Sequence, residues 1–253
     1  MATERAGGKG IVILGATSAI ARAAAVELGQ RGYDLILASR DAEENQILAS
    51  DVQVRTGARV AAFPFEAEDM SSHAAFFGRC RDHFVDGLAG VVLCFGYLED
   101  QQAAQQDFAI ARRTIDVNYT GAVSILELFA GHFEERRKGF ICAVSSVAGD
   151  RGRQSNYLYG SAKAGLTAYL EGLRNRLYRS GVAVTTVKPG FVDTKMTFGK
   201  PNLMLLAPAE KAGKDIVKAA LKGKDVVYTP WFWRYIMLII QHVPEMVFKR
   251  LKL

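Results

Sequence analysis

The sequence predicts an α/β protein folded as a single doubly wound parallel sheet, and three observations predict it. Seven apolar runs of strand length alternate with six helix-length segments, the order that places helices on both faces of a parallel sheet. The first five runs are nearly uninterrupted by charge, as strands buried on both faces should be. No linker, repeat or shift in composition divides the 253 residues, a length that one core can serve.

The runs lie at 10–14, 34–38, 59–65, 90–95, 139–144, 182–187 and 225–228. The intervening segments, 18–31, 41–55, 71–84, 107–135, 156–180 and 209–222, have helical length and connect parallel strands right-handedly. One domain is therefore expected over residues 8–229, followed by an apolar, basic helical appendage at 230–253.

Composition narrows the class. Hydrophobic residues make up 49% and charged residues 23%, which excludes a disordered or fibrous chain. The formal net charge is +6, but no lysine–arginine block or RNA-binding signature accompanies it. A bias toward anionic ligands is expected, and no nucleic acid. The three cysteines, Cys80, Cys94 and Cys142, are odd in number and widely separated, reading as core residues of a reducing compartment. The four histidines show no metal-ligand spacing, and no metal is expected. The first residues lack the apolar core of a signal peptide. A cytoplasmic protein is expected.

Chemistry first surfaces at Tyr159 and Lys163. They stand four residues apart, and Ser146 lies thirteen positions before Tyr159. Positions i and i+4 share a helix face, so an ammonium is held near a phenol. A nearby cation favours the phenolate and lowers its pKa, which suits a hydroxyl acid in carbonyl reduction.

Upstream, the first strand ends in Gly15-Ala-Thr-Ser-Ala-Ile-Ala21 and enters a helix at once. Such a turn aims backbone N–H groups and the positive helix end at a pyrophosphate, with Thr17 and Ser18 as hydroxyl donors or caps. An ordinary capped strand–helix turn reads the same way. The second strand ends in Ser39-Arg40. An acidic residue there would hold a ribose 2′-OH, whereas arginine accommodates a 2′-phosphate, so NADP(H) is expected over NAD(H). The bland alternative is a solvated loop arginine.

Along nearly its whole length the chain resembles the short-chain dehydrogenase/reductases. The residues that carry the resemblance are Gly15-Ala-Thr-Ser-Ala-Ile-Ala21, Asn118 in Asp-Val-Asn-Tyr-Thr-Gly, Ser145-Ser146-Val-Ala-Gly149, Tyr159-Gly-Ser-Ala-Lys163 and Lys188-Pro-Gly-Phe-Val-Asp-Thr194. The resemblance implies a Rossmann-type domain with a seven-stranded parallel sheet and nicotinamide-dependent oxidoreduction. It implies Tyr159 as general acid and Ser146 as a donor to the carbonyl oxygen. Lys163 would lower the Tyr159 pKa and bind the nicotinamide ribose, and Asn118 would hold a water linking Lys163 to solvent. Gly15, Thr17, Ser18, Ala19 and Ile20 would meet the phosphates. Glu66 and Ala67 would meet the adenine, and Gly96 its ribose. Pro189, Gly190, Val192 and Thr194 would lie along the nicotinamide. A homodimer or homotetramer, paired through the helices carrying Asn118 and Tyr159, is also implied.

The chain departs from the family in two places. Ala19 and Ala21 replace glycines, which puts cofactor affinity in doubt. Leu93-Cys-Phe-Gly96 replaces Asn-Asn-Ala-Gly, so another group must brace the backbone there.

Three segments, Cys94 to Leu98, Ser145 to Leu166 and the stretch opening at Trp231, further resemble the decaprenylphosphoryl 2-keto-erythro-pentose reductases. That resemblance implies a 2-keto sugar on a polyprenyl phosphate, with Arg151 and Arg153 gripping the phosphate. A steroid, acyl or free-sugar ketone remains open, as does a nucleotide sensor without turnover. In the tail, aromatic and aliphatic residues alternate with Arg234, His242, Lys249, Arg250 and Lys252. The apolar stretch is too short to span a bilayer. It suits a peripheral contact at the inner face of a membrane, and equally a lid on the pocket or a subunit contact.

Overall fold

The computed structural model describes residues 9–84, 87–197, 199 and 205–251. Residue 8, the expected start of the domain, and residues 252 and 253 of the tail lie outside them. Seven strands form one parallel sheet: β1 (Gly10–Leu14), β2 (Asp34–Ser39), β3 (Val60–Pro64), β4 (Leu88–Leu93), β5 (Phe140–Val144), β6 (Ala183–Pro189) and β7 (Val226–Thr229). Their spatial order is β3-β2-β1-β4-β5-β6-β7. Strand order reverses between β1 and β4, and ligands of such sheets bind outside the carboxyl ends of the strands at that point.

The pleat of β1 shows how the core is divided. Ile11 and Ile13 face one layer, with Ala21, Ala25 and Leu28 of α1 (Ala19–Gln30), Leu48 of α2 (Ala42–Thr56) and Ile216 of α8 (Ala209–Leu221). Val12 and Leu14 face the other, with Phe76 of α3 (His73–His83), Leu126 and Phe129 of α6 (Gly121–Arg136) and Leu166 and Leu170 of α7 (Tyr157–Leu177). Each of the larger side chains, fully buried, contributes about 1.5–3 kcal/mol, so the sheet is held from both faces. β3 is the exception to the expected double burial: its residues are mostly half-exposed, because it is the sheet's edge.

Local chemistry sets the helix starts. Ser18 accepts from the Ala21 amide and Asp41 from the Glu44 amide, each satisfying an orphan N–H. Around the region expected as one helix over 107–135, the same rule sets two starts. Asp100 caps α4 (Gln101–Gln106), which the short glutamine-rich Gln-Gln-Ala-Ala-Gln-Gln did not announce, and Asp107 caps α5 (Phe108–Ile115). The stretch Asp116–Thr120 is a wider, π-helical turn before α6 begins.

The tail forms α9 (Trp233–His242) and α10 (Glu245–Phe248). Trp233 and Met237, one turn apart, bury against Val147, so the tail packs on the domain beside the segment that follows Ser146. Among the described residues no helix is long and apolar enough to cross a membrane.

Candidate active site

Ser145 and Ser146 follow β5 and point to different surroundings. Ser145 Oγ is buried, 3.0 Å from the Lys163 carbonyl, to which it donates, and 2.8 Å from Thr167 Oγ1. Ser146 caps the 3-10 turn Val147–Gly149 and accepts from the Ala148 amide at 3.1 Å. That turn presses on α7, where Gly160 permits the approach: a Cβ there would lie 2.8 Å from the Ala148 oxygen. Ser146 is thereby left half-buried and hydrogen-bonded to Tyr159, while Ser145 is a structural anchor. Of the two serines, the one that the spacing selected is the one beside Tyr159.

Tyr159 and Lys163 occupy successive turns of α7, as expected from their spacing. Lys163 is 2% exposed. Its Nζ donates to the Val144 carbonyl at 3.1 Å and stands 5.8 Å from the centre of the Tyr159 ring. Burial pushes Lys163 down to about 8, with the neighbouring Cys94 acting in the opposite sense. Burial also pushes Tyr159 up to about 12, opposed by the Ser146 hydrogen bond. The expected lowering of the tyrosine by the lysine is therefore corrected. The ammonium is committed to a backbone carbonyl at the end of β5, and desolvation is the larger influence on the phenol.

Asn118 lies in the π-helical turn and is 1% exposed. Its Nδ2 donates to the Tyr97 and Thr114 carbonyls at 2.6 and 2.9 Å, and its Oδ1 accepts from the Tyr97 amide at 3.2 Å. The group that braces the backbone after Leu93-Cys-Phe-Gly96 is thus Asn118. A Cβ on Gly96 would lie 2.9 Å from Asn118 Oδ1 and 3.5 Å from Lys163 Nζ, so glycine lets this segment close over both side chains.

The turn after β1 fits a dinucleotide. Gly15 has φ +78°, and a Cβ there would lie 2.5 Å from the Phe95 nitrogen, so only glycine turns the chain here without strain. Ser18 caps α1, whose first turn holds no acidic residue, leaving its N-terminus electropositive. Ala21 is fully buried in the α1 layer of the core, so its methyl serves packing. Ala19 alone of the two departures faces a cleft, of about 370 Å³, with Asp193, Ala207 and Pro208; Ile20 packs against the α1 layer.

Around this turn, Arg22 donates to the Thr17 carbonyl at 3.1 Å and pairs with Glu44, which Lys195 also approaches at 3.8 Å. Arg40 is exposed and forms no hydrogen bond or ion pair with the described residues. Farther along the strand ends, the Glu66 carbonyl accepts from His73 at 3.1 Å, and Ala67 is buried. Pro189 and Val192 are buried, and Val192 bridges to Ala207. The Thr194 amide donates to Thr197 Oγ1 at 3.0 Å. A Cβ on Gly190 would fall on the Trp233 indole, so the tail reaches the cleft's edge. These residues fit a nicotinamide dinucleotide.

Of the two arginines expected to grip a phosphate, Arg151 does not stand free. Arg151 donates to the Ile240 and Val243 carbonyls, both at 2.6 Å, pairs with Glu245 at 2.9 Å and lies 3.7 Å over the Phe248 ring. It latches the tail by capping the carbonyls at the end of α9, the job a cation does at a helix C-terminus. Arg153 is half-buried with its Nε unpartnered, and desolvation lowers its pKa.

Sequence reasoning missed one cluster. Lys188, Asp150 and Tyr228 join beside the site, with Lys188 Nζ 2.5 Å from Asp150 Oδ1 and the Tyr228 hydroxyl 2.9 Å from Oδ2. A lysine closing the apolar run 182–187 was its signal.

With this geometry in hand, the comparisons with known proteins are decisive. A family model described as short chain dehydrogenase matches residues 9–202. The chain belongs to the short-chain dehydrogenase family. It is an NAD(P)-dependent oxidoreductase. An uncharacterized oxidoreductase of Mycobacterium tuberculosis is 33% identical over 242 residues, covering 95% of this chain and 96% of that one. One from Streptomyces coelicolor is 34% identical, covering 96% of each. Among solved structures, one described by its 7beta-hydroxysteroid dehydrogenase stereoselectivity superposes with a TM-score of 0.86 at 16% identity, covering 100% of this chain and 99% of that one. A short-chain dehydrogenase from Sphingobium yanoikuyae in complex with NADPH gives 0.77 at 21% identity, covering 94% and 97%. At these identities the two structures speak for the dehydrogenase fold alone.

Proposed function

We propose that this short-chain dehydrogenase reduces a ketone to a secondary alcohol with NADPH. The observation that carries the reading is the joining of Tyr159 to Ser146 beside the buried Lys163. Ser146 and Tyr159 donate to the carbonyl oxygen and stabilise its developing charge. Tyr159 then gives up its proton to that oxygen. Lys163 binds the nicotinamide ribose and supports the phenolate left behind. Asn118 holds the Tyr97 segment against Lys163 and orders the proton path. The nicotinamide, when bound, supplies the hydride. Gly15, Thr17, Ser18, Ala19 and Ile20 hold the pyrophosphate. Glu66, Ala67 and Gly96 meet the adenosine, and Pro189, Gly190, Val192 and Thr194 the nicotinamide. Arg40 is the unpaired cation suited to a 2′-phosphate, since Glu44 already engages Arg22 and Lys195.

For the substrate, we favour the 2-keto group of a polyprenylphosphoryl pentose over a steroid, acyl or free-sugar ketone. The observation behind this choice is the outward face of the latched tail. Trp231, Tyr235, Leu238, Ile239 and Met246 are exposed there, beside exposed Arg234, Lys249 and Arg250. An apolar face rimmed by cations suits a peripheral contact with an anionic leaflet, in a cytoplasmic protein working at the membrane's inner face. Homo-oligomerisation through α5 and α7 accounts for the exposed Phe108, Ile115 and Tyr157. A sensor without turnover would have no use for the buried lysine and its serine–tyrosine pair.

The test is NADPH oxidation with a lipid-linked 2-ketose, the free ketose and a steroid ketone, together with flotation on vesicles containing phosphatidylglycerol. Faster reduction of the lipid-linked ketose and vesicle binding lost on removing 231–253 support the reading. Equal rates without vesicle binding leave a generic soluble reductase.

A further inference from the structure

Asp150 is a buried carboxylate that ketone reduction, as set out above, does not use. Its side chain is 1% exposed and that of its partner Lys188 9%. Withdrawing two charges from water is costly, so a buried pair is weak grounds for stability and points instead to geometry. Here the geometry is specific. Asp150 follows the turn that starts at Ser146, and Lys188 directly precedes Pro189-Gly190.

The segment 145–150 is tied to β6 at both ends. At its start the Ser145 amide donates to the Val187 carbonyl at 2.8 Å. At its end Asp150 Oδ1 accepts from Lys188 Nζ at 2.5 Å, while Oδ2 accepts from the Tyr228 hydroxyl of β7 at 2.9 Å. From the opposite side α7 closes in: a Cβ on Gly149 would lie 2.8 Å from the Ala164 nitrogen. Ser146 therefore sits in a strap stretched between the helix that carries Tyr159 and the strand that runs into Pro189-Gly190. Without the pair, the hydrogen bond at Ser145 is, among the described residues, the one that would tie that segment to β6.

We propose that Asp150 and Lys188, with Tyr228, are positioning residues that set Ser146 relative to the Pro189–Gly190 edge of the cofactor cleft. The proposal rests on the ketoreductase reading of the site and adds the element that aligns its two halves. Neither residue touches the reacting atoms; both act through where Ser146 is held. A misplacement of about 1 Å can cost on the order of a hundredfold in rate, so a brace of this kind is read in kcat.

The experiment is a double-mutant cycle with Asp150→Asn and Lys188→Met, reading Tm, NADPH affinity by fluorescence, kcat and KM for the ketone, and the isotope effect with NADPH deuterated at the transferred position. Each single variant strands one buried group and should lower Tm. The double variant removes both charges and should recover most of that loss. Its kcat should nevertheless stay roughly tenfold or more below wild type, with NADPH affinity near normal and the isotope effect raised, because the chemical step is what misalignment slows. A double variant with wild-type Tm, kcat and isotope effect overturns the brace and leaves the reductase reading standing. Absence of turnover by the wild type on any ketone overturns both. If the double variant does not fold, Lys188→Arg, which keeps the charge but moves the nitrogen, is read instead. A lowered kcat at unchanged NADPH affinity is then expected, and wild-type kcat overturns the brace.

Discussion

The Lys163 ammonium donates to the Val144 carbonyl at 3.1 Å and stands 5.8 Å from the centre of the Tyr159 ring. The two residues share a helix face, yet burial moves them in opposite directions, the lysine down to about 8 and the tyrosine up to about 12. Of the two, then, the lysine is the one that titrates nearer neutrality in the free protein.

A pH dependence follows from that order. The charged lysine is fully present below about 8 and is lost as pH rises through that value, while Tyr159 keeps its proton until about 12. With NADPH as the varied substrate, kcat/KM reports groups of the free protein. It should fall above a pH of about 8, and Lys163→Arg, always charged, should remove that limb from whatever activity remains. A wild-type profile flat to pH 10 contradicts the assignment.

The adjacent serines should separate stability from catalysis. Ser145→Ala leaves Thr167 Oγ1 and the Lys163 carbonyl without their buried partner, at about 1–3 kcal/mol, and should lower Tm with little change in kcat. Ser146→Ala loses the cap on the Ala148 amide, at about 0.5–2 kcal/mol, so its mark is instead a kcat lowered by roughly 10²–10³. Thermal melts and turnover on the same two variants check this, and a reversed pattern would exchange the roles.

Arg40 should select the cofactor. Titrating NADPH and NADH into wild type and Arg40→Ala should show a preference for NADPH that shrinks in the variant by about tenfold or more, the worth of one charge-assisted contact. An unchanged ratio returns Arg40 to solvent.

Arg151 should hold the tail. Arg151→Ala removes its bonds to the C-terminal end of α9 and its pairing with Glu245, and charge-assisted hydrogen bonds contribute about 1.5–3 kcal/mol each. Limited proteolysis should then cut within 233–251 faster than in wild type. Equal rates would mean that the Trp233–Met237 packing alone secures the tail.

How much of this was legible in the chain differs by element. All seven strands were read from apolar runs and the doubly wound fold from their alternation, because for the five inner strands burial on both faces writes a strong local signal. Tyr159, Lys163 and Ser146 came together as their spacing required. What failed was long-range. The sequence of Arg151 says nothing of a helix about ninety positions later whose carbonyls it caps, so a latch read as a free phosphate ligand. Asp150 and Lys188 are 38 residues apart, and only the register of β5 on β6 brings them together. The starts of α4 and α5 were local and could have been seen, since Asp100 and Asp107 both stand where N-caps belong, whereas the wider turn Asp116–Thr120 that splits 107–135 carries no side-chain cap.

The central claim is that Tyr159 supplies the proton in a nicotinamide-dependent ketone reduction. Tyr159→Phe removes the hydroxyl and little else, so fluorescence titration should show NADPH binding within about twofold of wild type, while turnover with the best ketone falls by roughly 10²–10⁴, the usual worth of a positioned acid. A Tyr159→Phe protein that oxidises NADPH with that ketone at the wild-type rate would contradict the account.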